Sequence, residues 1–67
     1  MAHGTVTWFD PLRGMGAITL DDGGHDAHVH SSDIDGGGRQ SLTAGDRVAF
    51  TLLCGVAGPR AVSVWVP

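Results

Sequence analysis

Turn-forming clusters cut this chain so often that no stretch between them sustains a helical apolar period. The breaks are Asp10-Pro11, Asp21-Asp22-Gly23-Gly24, Gly36-Gly37-Gly38, Ala44-Gly45-Asp46, and Gly55 with Gly58-Pro59. Each offers residues that set or tolerate turn dihedrals. Between them lie short runs of Val, Thr and aromatic residues, at 4–9, 14–20, 26–30, 47–53 and 61–66. Runs of that length and composition predict five strands and an all-β fold, with one short 3-10 turn over 31–35.

Period-two alternation then assigns the faces. Ile18 and Leu20, Ala27 and Val29, Val48, Phe50 and Leu52, and Val62, Val64 and Val66 form one apolar set and are the expected core. A sheet with one buried face and so few residues per strand is completed most simply by closing on itself, which removes its edges. The expectation is therefore an antiparallel, five-stranded closed β-barrel. Gly14 and Gly16, two apart inside a strand, should point inward, where coiled strands cross and a Cβ would collide. Met15 and Ala17 then face outward, as do His28 and His30.

A chain of 67 residues fits one domain with a small core. Its single cysteine, Cys54, excludes an internal disulfide framework, and no apolar run approaches the roughly 20 residues of a membrane span. With no signal-peptide pattern at the start, the expected compartment is the cytoplasm. All basic residues are arginine and all acidic ones aspartate, for a formal net charge of −3. An acidic chain lacks a global attraction to phosphate, so any nucleic-acid binding must rely on a local face.

Three stretches carry a resemblance. Thr7-Trp8-Phe9-Asp10, Arg13-Gly14-Met15-Gly16-Ala17-Ile18 and Ala27-His28-Val29-His30-Ser31-Ser32 are similar, in order and spacing, to the K-W-F-N, K-G-F-G-F-I and V-F-V-H-F-S segments of bacterial cold-shock domains. The likeness continues through Ile34, Leu42, Gly45, Val48, Phe50 and Gly58-Pro59-Arg60-Ala61, and so covers the whole chain, 1–67, as one domain. It implies an OB-fold barrel that binds single-stranded RNA or DNA on one sheet face, as an RNA chaperone or gene-expression regulator, without cofactor and without catalysis.

The chain departs from that pattern where the family stacks bases. Met15, Ala17, His28, Ser31 and Arg39 stand where the family has phenylalanine, and Thr7 replaces a lysine. His28 and Arg39 are flat enough to stack, and Met15 is polarizable, but Ala17 and Ser31 cannot replace a ring. At about 1 kcal/mol for each of those two lost platforms, affinity falls by about 2 kcal/mol, roughly thirtyfold. The expected site is Trp8, Phe9, Arg13, Met15, His28, His30, Arg39 and Arg60, centred on Trp8, His28 and His30. Arg47, away from these motifs, is expected to be an ordinary surface charge.

Two other readings compete. His28 and His30 share a strand face and, with Asp26 or His25, could hold a divalent ion, although a closed structural site wants four ligands with outer support. Trp65, on the side of its strand opposite Val64 and Val66, could anchor a homodimer or simply cover one barrel end. No nucleophile is paired with a base: Cys54 is expected to be a buried and inert thiol, and Gly36-Gly37-Gly38 lacks the lysine and helix of a phosphate loop. If Arg13, Arg39 and Arg60 all met phosphate, the salt dependence on a single strand would not exceed a slope of about 2.

Overall fold

The computed structural model describes residues 1–35 and 41–67. Arg39 and the Gly36-Gly37-Gly38 connector therefore lie outside the described residues. Five strands, β1 (Ala2–Asp10), β2 (Met15–Leu20), β3 (Ala27–His30), β4 (Arg47–Gly55) and β5 (Gly58–Trp65), close into a barrel in the order β1-β2-β3-β5-β4. A 3-10 turn, Ser31–Asp33, follows β3. Four of the five seams are antiparallel, as expected; the β3–β5 seam is parallel, with His28 beside Arg60. The parallel seam is what closure requires, because β3 and β5 are joined through β4 rather than by a hairpin.

The core is built from Val6, Ile18, Leu20, Ala27, Val29, Leu42, Val48, Phe50, Ala61 and Val64, all buried. Three of these, Val6, Leu42 and Ala61, lie outside the expected set. Three expected members do not reach it: Leu52 and Val62 are half-buried, and Val66 is exposed. The cause on β5 is a bulge. Ala49 pairs with Trp65 but Thr51 pairs with Val62, so β5 carries one extra residue. Within that step Ser63 adopts a φ of +52°. The inserted residue shifts the alternation, and the inward residues become Ala61 and Val64 rather than Val62, Val64 and Val66.

A second bulge shapes β1. Val6 pairs with Ile18 while Trp8 pairs with Ala17, which leaves Thr7 as the extra residue. Strict alternation would send Trp8 inward with Val6; the bulge turns it out. At the same point β1 leaves the β4 ladder, and Val6 exchanges backbone hydrogen bonds with the turn before β4, at Asp46 and Gly45, 2.9 and 2.8 Å.

The two expected glycine positions behave differently. Gly16 faces inward, and a Cβ there would strike the Trp8 carbonyl oxygen and the Phe9 ring. Gly14 has a φ of +68°, the left-handed region that L-residues avoid, and an added Cβ would lie 2.7 Å from the Ser31 hydroxyl. One glycine is required by close approach, the other mainly by its dihedral.

Arg47 grips Asp21 through two hydrogen bonds of 2.7 Å and also donates to Thr5, tying β4, β1 and the end of β2 together. The guanidinium holds the Asp21 carboxyl below its ordinary range, chiefly by hydrogen bonding. Cys54 is exposed, not buried, because the β4–β5 hairpin extends past the core. No helix is long and apolar enough to cross a membrane among the described residues.

The close approach at Gly16 sets a testable asymmetry. Gly16→Ala should destabilise the barrel by about 1–3 kcal/mol in urea unfolding, because backbone must move to admit the methyl. Gly55→Ala, where nothing lies within 4 Å, should stay within about 0.5 kcal/mol of the parent.

Candidate functional site

The outer side of β1, β2 and β3 carries two rows of side chains fixed by register. Trp8 on β1 lies opposite Ala17 on β2, Ala17 opposite His28 on β3, and His28 beside Arg60 on β5. The second row runs Asp10, Met15, His30. Trp8 is 45% exposed, and His28 and His30 are exposed. With neighbouring strands about 4.8 Å apart, Trp8 and His28 stand about 10 Å from each other across Ala17. A single methyl fills the place between them, so the two flat side chains are separate platforms.

The fold therefore gathers Trp8, Met15, His28, His30 and Arg60 onto one wall. Phe9 turns away from it. Its register partner is the inward Gly16, and its ring is half-buried against the core. Neighbours on a strand face opposite ways, which parts the two aromatics that the motif places together, and the Thr7 bulge decides that Trp8 is the outward one. Arg13 sits at the edge of the wall, in the turn joining β1 to β2. There Asp10 accepts hydrogen bonds from the Leu12 and Arg13 backbone N–H groups, at 3.0 and 3.4 Å, and its carboxylate lies 3.7 Å from the Arg13 guanidinium.

His30 has a second duty as the cap of the 3-10 turn. Its Nδ1 accepts from the Ser32 backbone N–H at 3.2 Å and lies 2.9 Å from the Ser32 hydroxyl. With Nδ1 occupied as an acceptor, the neutral ring carries its proton on Nε2, which leaves that nitrogen as a donor for a ligand. Ser31, at a family stacking position, is half-buried; its backbone N–H donates to the Gly14 carbonyl at 2.8 Å, fastening the end of β3 to the β1–β2 turn.

Arg60 is held by a residue that no sequence pattern singled out. Asp33 accepts from its Nε at 3.1 Å and from its Nη2 at 2.9 Å, in a side-on pair. These hydrogen bonds, reinforced by the charge of Asp33, raise the guanidinium's affinity for its proton above the ordinary arginine range. Asp33 is positioned by the chain that follows β3: Ile34 bridges to Val64, and the Asp35 N–H donates to the Val64 carbonyl at 2.6 Å. The partners are 27 residues apart, so no local signal in the sequence links them.

Beside this pair is an open pocket of about 430 Å³ lined by His28, His30, Ala57, Gly58, Pro59 and Arg60. It lies between β3 and the β4–β5 turn, continuous with the Trp8 row. Among the described residues, no group of three or more His, Cys, Asp or Glu side chains is arranged to hold a metal ion, so His25 and Asp26 add no further ligand to His28 and His30. Trp65 is on a different part of the wall. It is 40% exposed and pairs with Ala49, whose partner on the other side is His3.

Comparison with known proteins matches residues 2–67 to the family model described as the "'Cold-shock' DNA-binding domain". A cold shock protein of Arthrobacter globiformis is 45% identical over 64 residues, covering 96% of either chain. The cold shock-like protein CspE of Escherichia coli strain K12 is 43% identical over 61 residues, 91% of this chain and 88% of its own. Glycine-rich protein 2 of Nicotiana sylvestris is 46% identical over 67 residues but is matched over only 31% of its length.

The charge pairing on this wall changes the expected salt response. With Arg13 beside Asp10 and Arg60 bound by Asp33, two of the three arginines considered for phosphate are already compensated. The log–log salt slope of binding to a single strand should therefore be about 1 or less, measured across a salt series, rather than about 2. A slope of 2 or more would show that both carboxylates let go of their arginines on binding.

Proposed function

The chain belongs to the cold-shock domain family of nucleic-acid-binding, non-enzymatic proteins, and on that premise we propose that it binds single-stranded RNA or DNA by stacking bases on Trp8 and His28. The observation that carries this reading is the row Trp8, Ala17, His28, Arg60, which sets an exposed indole and an exposed imidazole on one wall with a guanidinium at its end. Aromatic and imidazole faces accept any unpaired base, at about 1–3 kcal/mol per stacked base. Met15 and His30 extend the surface; Arg13, and Arg39 beyond the described residues, complete the proposed site.

Binding is weaker than in relatives that keep a ring at every platform, because Ala17 leaves the middle of the row empty and Ser31 is occupied in fastening β3 to the turn. Compensated arginines subtract further, since stacking must supply most of the affinity. The cellular role that fits a sequence-tolerant binder of this kind is an RNA chaperone or regulator of gene expression, acting in the cytoplasm.

Anisotropy of a labelled pyrimidine-rich oligonucleotide tests the reading. Trp8→Ala should weaken binding about tenfold, and Ala17→Phe should strengthen it about fivefold or more by restoring the central platform. A Trp8→Ala protein that binds as well as the parent would remove the site.

Self-association would use a different surface. Trp65 and Val66 are 40% and 37% exposed and adjacent, away from the Trp8 row. Light scattering over a concentration series should report a dimer that Trp65→Ala abolishes; a monomer at every concentration assigns the indole to covering the barrel.

A further inference from the structure

Arg60 has the chemistry to contact phosphate, yet its environment equips it for something more selective. The guanidinium has five N–H donors in a rigid plane. Asp33 takes the Nε–H and one Nη2–H, which fixes the plane and leaves the opposite edge, formed by Nη1 and the second Nη2 hydrogen, for a ligand. Asp33 is 10% exposed and Arg60 55% exposed, so the carboxylate is the buried anchor and the guanidinium the presented group.

Among the side chains that line the pocket beside it, Arg60 and His30 present donors. The Asp33 oxygens are engaged by Arg60, and His30 keeps only its Nε2–H for a ligand because Nδ1 caps the 3-10 turn. Pro59 and Ala57 supply an apolar wall, and the His28 imidazole a flat face. A volume of about 430 Å³ falls in the range of small-ligand sites. A base that fits must present two adjacent acceptors to a planar fork. Guanine does so with O6 and N7, the commonest specific partner of an arginine. Adenine sets an amine donor beside N7, and thymine and uracil have only a single carbonyl on the corresponding edge.

We infer that the pocket between β3 and the β4–β5 turn takes a guanine base, read at its O6/N7 edge by Arg60, with Asp33 as the positioning residue. The inference rests on the proposed stacking function and deepens it: Trp8 and His28 stack any base, and the pocket selects one. Charge neutralisation by Asp33 turns Arg60 from a phosphate contact into a base-edge reader, because the pair retains directed hydrogen bonds while its net charge is near zero.

The test compares labelled short oligothymidines carrying at one central position thymine, guanine, cytosine, inosine or 7-deazaguanine, by anisotropy on the unmodified protein. Guanine should raise affinity about tenfold over thymine. Inosine, which keeps O6 and N7, should retain the gain, and 7-deazaguanine, which lacks N7, should lose it. In Arg60→Lys, which keeps the charge but not the fork, the guanine-to-thymine ratio should fall to about one. Asp33→Asn should lower that ratio too, and should steepen the salt dependence as the released guanidinium turns to phosphate. Equal affinity for guanine and thymine, full binding of 7-deazaguanine, or a preference for cytosine through its O2 and N3 would overturn the assignment while leaving the stacking face intact. Failure of every oligonucleotide to bind would overturn the stacking function, and the guanine pocket with it.

Discussion

The close contact between β1 and β2 governs what this barrel can display. Around Gly16 the two strands approach until only a hydrogen can occupy the inward position, and one step away the Thr7 bulge adds a residue to β1. The bulge bends β1 and reverses its facing. Val6 joins the core, Trp8 comes out beside Ala17, and Phe9 returns inward over Gly16. The exposed indole is therefore a product of barrel curvature. A flatter, regularly paired β1 would bury Trp8 and expose its neighbours.

Electrostatics on the same wall follow from a different economy. Each described arginine lies against an aspartate: Arg13 with Asp10, Arg47 with Asp21, and Arg60 with Asp33. An acidic chain with paired arginines has little long-range attraction for a polyanion. What remains is short-range: polarizable faces, an imidazole N–H whose tautomer is set by a cap, and a guanidinium edge held in one plane. Groups of this kind suit contact with bases better than contact with phosphate.

The pairs are exposed to different degrees, and that difference assigns their roles. Arg47 and Asp21 are both about half-exposed and link strand ends, as a surface brace does. Asp33 is far more covered than Arg60, so it anchors a group that points outward. Exposed pairs contribute little to stability, whereas a positioned donor can contribute to selectivity because its geometry is set before a ligand arrives.

Sequence by itself determined the all-β class, the five strands within a few residues, the inward Gly16, and the outward set of Met15, Ala17, His28 and His30, because turn residues and period-two alternation are local properties of the chain. It also carried the family motifs, which match over residues 2–67. Only the tertiary structure decided which alternations break. The bulges at Thr7 and Ser63 arise from closing the barrel, and they expelled Val66, admitted Ala61, and turned Trp8 outward and Phe9 inward. Closure likewise exposed Cys54 and brought Asp33 to Arg60 across 27 residues. A contact of that kind exists only where β3 and β5 meet, since the distance between two strand ends depends on the whole ring of strands and on no segment within it.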